Sequence, residues 1–262
     1  MELASLLPLL EPWVVLVLLA MARAGGLLAA LPSTSGKAVP RMVQVLVAVG
    51  LSIALVGIAA PPVLPGADPV SLAIAIAGEV GVGYVLGFVV QVTLAGVRIA
   101  GEIIGVEIGL SFSAVADPMN PGASTSTASL LGHLGIQLLF ALQLDRALLY
   151  GLGHSVRAVP LGGSHFDGDT VAAVSEQFGD ALVGALHLAL PVLATVLTVK
   201  LALAVLARFV PRLQIFALAF GIALIAGLNA LQASLPQLAH SVALQLQLVL
   251  VRLDRVIETL QG

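Results

Sequence analysis

Residues 70–97 read VSLAIAIAGEVGVGYVLGFVVQVTLAGV, a run with a single charged side chain, Glu79. A helix needs about 20 apolar residues to cross the hydrocarbon core of a bilayer, so this run alone is long enough to span. It passes into RIAGEIIGVEIGL, residues 98–110, where Arg98, Glu102 and Glu107 sit among apolar residues at helical spacing. The chain then changes character: residues 109–131 read GLSFSAVADPMNPGASTSTASLL, rich in small, hydroxylated and turn-forming residues.

The rest of the chain repeats the apolar theme. Of its 262 residues 59% are hydrophobic and 10% charged, whereas soluble domains carry about 25% charged residues. The fold class is therefore an all-α polytopic membrane protein of helical hairpins. Hydropathy places about six apolar segments, near 13–31, 42–60, 70–97, 129–144, 178–206 and 215–235. The whole chain, 1–262, reads as a single integral membrane domain with a loop at 109–127. Its tail, 236–262, contains HSVALQLQLVLVRLDRVIETL and is expected to form an amphipathic helix. Residues 146–177 read as a long, mixed-charge connection. The beginning of the chain, with Glu2 and Glu11 and no basic stretch, reads as a retained first membrane helix. Basic residues around Arg23–Arg41 and Lys200–Arg212 put those two connections in the cytoplasm and the N-terminus outside.

Chemistry is sparse. With no cysteine there is no thiolate metal site or thiol nucleophile. The five histidines, 133, 154, 165, 187 and 240, never fall at zinc-hydrolase spacing, and His133 and His187 read as single polar contacts between helices. No phosphate-binding or dinucleotide-binding glycine pattern occurs, and no basic stripe suggests nucleic acid. No catalytic group, cofactor or metal is expected. Glu79 reads in two ways: as a carboxylate on a proton or cation pathway, or as one near a helix end or paired to an Arg of a neighbouring subunit. Arg98 and Glu102 are spaced for a local i,i+4 pair.

Breakers and glycines lie at membrane depth. Pro191 falls inside the fifth segment, and Gly78, Gly81, Gly83 and Gly87 crowd the third, followed by Gly101 and Gly105. Such glycines let helices approach closely, and irregular backbone is tolerated in lipid only where protein re-satisfies it. The same rule applies to the loop: it lies outside the membrane, or it is enclosed by protein or lines a watery cavity. Leu110, Phe112, Val115 and Met119 with almost no charge argue against a plain solvated turn.

The ordered stretches GEIIGVEIGLSFSAVADP (101–118), LLFALQLDRALLYGLGHSVRAVPLG (138–162) and ALHLALPVLATVLTVKLALAVLARFVPRLQIFALAFGIALIAGL (185–228) resemble the flagellar FliR family, whose relatives form the T component of virulence type III export gates. The resemblance rests on the small-residue helix ending in Asp117-Pro118, on Ser155, Pro160 and Gly162, on Ala189 and Pro191, and on Arg208, Pro211 and Phe216. An Arg followed by small residues and a Pro (Arg23, Gly25, Gly26, Pro32) adds to it. Pro211-Arg212-Leu213-Gln214-Ile215-Phe216 and Asp145-Arg146 depart from the family's usual residues at those places.

The resemblance implies a non-enzymatic subunit of the flagellar type III export gate in the bacterial inner membrane, within the flagellar basal body. Unfolded flagellar subunits would pass through its pore, and FliP-like, FliQ-like, FlhB-like and FlhA-like proteins would be its partners. It further implies that the loop plugs the pore, with Gly109, Ser111, Phe112, Ser113, Ala114, Asp117, Pro118, Met119, Asn120, Pro121 and Gly122 as plug residues. Arg23, Gly83, Gly87, Gly101, Gly105, Pro191, Arg208, Pro211 and Phe216 are then candidates for helix packing and assembly, and some apolar segments would be hairpins rather than true crossings. The competing reading is a secondary transporter of a small solute or ion, built on Glu79, the loop and a helix broken at Pro191. A third is a pure assembly scaffold with an extramembrane loop.

Overall fold

The computed structural model describes residues 7–31, 39–59, 69–110, 125–164, 166–209 and 215–260, with side chains from Trp13 and, in the last stretch, from Ala219. These residues are helical almost throughout: α1 Leu7–Ala30, α2 Arg41–Val56, α3 Pro69–Ile108, α4 Ser126–Ala141, α5 Leu144–Ala158, α6 Gly168–Phe209 and α7 Ile215–Thr259. Four helices are long and apolar enough to cross a membrane, or five spans if α4 and α5 form one broken span; α2 is a shorter apolar helix. The chain is thus an all-α, multi-pass membrane protein.

The segment boundaries differ from the hydropathy reading in three places. The third segment and its amphipathic extension are one helix of 40 residues. At 1.5 Å per residue it is about 60 Å long, roughly twice the hydrocarbon thickness of about 30 Å, so one perpendicular crossing cannot hide it. The sixth segment and the expected separate tail are likewise one 45-residue helix that carries Pro236 within it. The expected connection 146–177 holds α5 and the start of α6. In α5, Leu144, Leu148, Leu152 and Val156 recur every fourth residue and are all buried. This is a helical period, yet Asp145, Arg146, His154 and Arg157 lower its hydropathy below that of a span.

The helices group into two compact units. The first comprises α1, α2, α3 up to Val92, α5, the start of α6 and the end of α7; the second comprises the rest of α3, α4, α6 from Gly179 onward and α7 up to Leu246. In the first unit α1 and α2 pack together. The contact of α1 with α3 runs over glycine. A β-carbon on Gly83 would overlap the Arg23 carbonyl, and one on Gly87 would lie 2.7 Å from the Leu27 carbonyl oxygen. The backbones therefore approach closer than any side chain allows. In the second unit Gly101 plays this part for α4: its β-carbon would meet the Ala128 α-carbon at 2.5 Å.

Candidate functional site

The loop flagged by the sequence leaves the end of α3 and, where it meets α4, is tied back to α3. At its start, Gly109 has φ of +96°, a left-handed conformation that glycine adopts without steric cost. The Leu110 amide donates to the Gly105 carbonyl at 2.8 Å and the Gly109 amide to Val106 at 3.1 Å. These paired bonds form a Schellman cap, which satisfies carbonyls that a helix end otherwise leaves open. At its end, Thr125 caps α4 by accepting from the Ala128 amide at 3.2 Å. The Thr125 amide also donates to Glu102 Oε1 at 3.1 Å, and its hydroxyl donates to the Gly101 carbonyl at 3.4 Å. Residues 111–124, and with them Ser111 through Gly122 of the expected plug, lie outside the described residues.

The same end of α3 is buttressed from α6 and α7. Lys200 Nζ donates to Glu107 Oε1 at 2.6 Å and to the Glu107 carbonyl at 3.0 Å. A cation here complements the partial negative charge of a helix C-terminus. A β-carbon on Gly109 would touch the Phe220 ring at 2.8 Å, and one on Gly227 would touch Ile108 at 2.5 Å. Ile108, Gly109, Lys200, Leu203, Phe220 and Ala223 border an apolar cavity of about 500 Å³. Glu102 takes Thr125 as its partner, and the expected Arg98–Glu102 pair is not formed among the described residues.

In the first unit a second polar cluster is fully buried. Arg23 Nε donates to Glu79 Oε2 at 2.5 Å and Nη2 to Oε1 at 3.0 Å, with both side chains at 0% exposure. Arg23 Nη1 donates to the Val159 carbonyl at 3.1 Å and the Ser155 hydroxyl at 3.4 Å. The Gly162 amide donates to Glu79 Oε1 at 2.9 Å. One guanidinium and one carboxylate thereby join α1, α3, α5 and the turn that leaves α5. A bidentate pair with further hydrogen bonds is the arrangement in which a buried charge pair is tolerated. Glu79 is therefore paired to an Arg of its own chain. Both of its oxygens are engaged by groups of its own chain, and its side chain has no solvent exposure.

Several residues that carried the resemblance meet here. Arg23 and Gly26 on α1, Ser155 on α5 and Gly162 beyond it all line this cluster or its helix contact. The partner carboxylate had no local signal, because Glu79 lies 56 residues from Arg23. Thr125, Glu102 and Lys200 were likewise not singled out as a group; the Thr before α4 was the available sign, since Thr is a favoured N-cap.

The remaining candidates are dispersed. Pro191 lies inside the unbroken helix α6. Proline cannot donate to the residue four before it, and the Thr195 hydroxyl donates to its carbonyl at 2.9 Å. Arg208 is exposed in the last turn of α6. Pro211 lies outside the described residues, and Phe216 is placed in the first turn of α7 by its backbone. His187 is exposed on α6, while His133 Nδ1 donates to the Ser129 carbonyl of its own helix at 2.6 Å.

Comparison with known proteins bears on this architecture. Residues 14–248 match the family described as bacterial export proteins, family 1. The chain is 30% identical over 231 residues to the flagellar biosynthetic protein FliR of Escherichia coli K12, which covers 87% of each chain. It is 28% identical to the protein of the same name from Caulobacter vibrioides, covering 84% of this chain and 88% of the relative. It is also 29% identical to the Yop proteins translocation protein T of Yersinia pestis, over 59% of this chain and 60% of the relative. With the match running across both compact units, the chain belongs to the bacterial export proteins, family 1.

Proposed function

We propose that this chain is a non-catalytic subunit of the flagellar type III export gate, the finer form of what its family establishes, a component of type III export. The observation that supports this most is the match over residues 14–248 combined with a loop whose two ends are fixed to one helix. In this reading residues 109–127 are a plug. Gly109 and Thr125 hold its ends on α3, and the intervening, almost uncharged residues are displaced by a passing chain. Weak, uncharged contacts suit a segment that changes state, because a gate needs states separated by only a few kcal/mol. The protein sits in the bacterial inner membrane within the flagellar basal body. FliP-like and FliQ-like subunits form the pore with it, and FlhB-like and FlhA-like proteins act beside it.

The transporter alternative lacks support. The matched family is one of export proteins, Glu79 is committed to Arg23 and Gly162, and Pro191 does not break its helix.

The test removes residues 112–123 while keeping Gly109 and Thr125. In a strain lacking the native gene, the shortened protein is expected to assemble but let ions or small solutes leak across the membrane. An assembled, leak-free gate would refute the plug, and failure of the full-length chain to restore export would refute the gate assignment.

A further inference from the structure

The second unit carries a polar surface centred on Arg98 and α4, apart from the buried Arg23–Glu79 pair of the first unit. Arg98 on α3 is exposed, and among the described residues it makes no ion pair or hydrogen bond. Its stem crosses α4 at Gly132, where a β-carbon would lie 2.9 Å from Nε and 3.0 Å from Cγ. Beside it α4 exposes Ser126, Ser129, His133 and Gln137 at spacings of three, four and four, which places all four on one helix face. His133 spends Nδ1 on the Ser129 carbonyl, which leaves Nε2 for an outside partner.

The length of this stripe argues against lipid. Ser126 to Gln137 rises about 16 Å along the helix axis, whereas each headgroup layer of a bilayer is only about 5–8 Å deep. On a crossing helix, part of the stripe would lie in hydrocarbon, where exposed polar groups are costly and normally paired with protein. The feature that selects a partner is charge. Arg98 is a cation among neutral donors and acceptors, α4 has no acidic residue, and the nearest carboxylate along α3, Glu102, is turned to Thr125.

We propose that Arg98, flanked by Ser129, His133 and Gln137, is an interaction surface for a helix of a neighbouring gate subunit that presents a carboxylate. The guanidinium takes that carboxylate and the α4 stripe takes amide or hydroxyl groups one and two turns along it. This rests on the export-gate reading and names the chemistry of the partner that reading requires.

The experiment uses the full chain in its native complex, with a photo-crosslinking amino acid at position 133 or 137. Crosslinking to a co-purifying subunit is expected. Arg98→Glu should lower recovery of that subunit by at least about tenfold, as for a desolvated charge pair broken on one side. Arg98→Lys should retain most of it, and an acidic-to-lysine change in the crosslinked helix should restore assembly with Arg98→Glu. Crosslinks confined to lipid or to exported chains would overturn the proposal, as would normal assembly of Arg98→Glu. The export-gate reading fails separately, if the wild-type chain does not restore export in a deletion strain.

Discussion

Arg23 and Glu79 form a two-point ion pair with no solvent exposure, and the Gly162 amide, 83 residues further along the sequence, donates to the same carboxylate. Removing one partner strands a buried charge, which costs about 3–5 kcal/mol in comparable sites. Arg23→Met or Glu79→Gln alone is therefore expected to lower the unfolding midpoint of the purified complex sharply and reduce accumulation in the membrane. The double variant Arg23→Met with Glu79→Met should recover most of the loss, because no charge is left unpaired. Single variants as stable as wild type would show that the pair does not hold the unit together.

The glycines of α1 and α3 separate into those that matter and those that do not. Gly83→Ala drives a methyl group into the Arg23 carbonyl, whereas Gly25 has nothing within 4 Å of its β position. Overpacking costs about 1–3 kcal/mol even where side chains can yield, and backbone yields less. Gly25→Ala should be neutral or slightly stabilising, by up to about 1 kcal/mol from helix propensity. Thermal unfolding of the two variants side by side decides this; equal behaviour would contradict the close α1–α3 contact.

Gly109→Val places a β-branched residue in a left-handed conformation and against Phe220. The left-handed strain alone is worth about 1–2 kcal/mol. Hydrogen exchange at the Gly109 and Leu110 amides, slow in the wild type because both are bonded, is expected to accelerate while exchange in α1 stays unchanged. Under the plug proposal this variant should also leak, and a tight gate would show that the start of the loop does not set the plug's position.

Lys200 and Glu107 make the opposite case from Arg23 and Glu79. Their side chains are 43% and 29% exposed, and a pair at that level contributes about 0–1 kcal/mol, less in high salt. Lys200→Ala should leave global stability nearly unchanged yet loosen the last turn of α3, because the Glu107 carbonyl also loses its donor. Swapping the two charges should restore the side-chain pair but not that carbonyl bond. Local exchange rates at the α3 terminus would separate the two effects.

What could be read in the sequence follows from how local each signal is. Length and apolarity identified the spanning helices, since lipid demands them. Gly109 as a helix terminator and Thr125 as a cap were readable from residue type. α5 escaped a search for long apolar runs because Asp145, Arg146, His154 and Arg157 interrupt its buried Leu144, Leu148, Leu152 and Val156, although their period was visible. Pro191 looked like a break and is not, because a helix with packed neighbours absorbs one missing hydrogen bond, and α7 likewise runs on through Pro236. The Arg23–Glu79–Gly162 cluster joins three points of the chain separated by 56 and 83 residues, and nothing local tells a charge which distant residue it meets.

That separation also has a consequence in time. At about 5–20 residues per second of synthesis, some 3–11 seconds pass between the making of Arg23 and of Glu79. For that interval the nascent α1 carries an uncompensated cation. A ribosome stalled shortly before residue 79, with α1 already outside it, is thus expected to expose its chain to membrane proteases, and Arg23→Met should protect it; equal lifetimes of the two stalled chains would show that the wait is harmless.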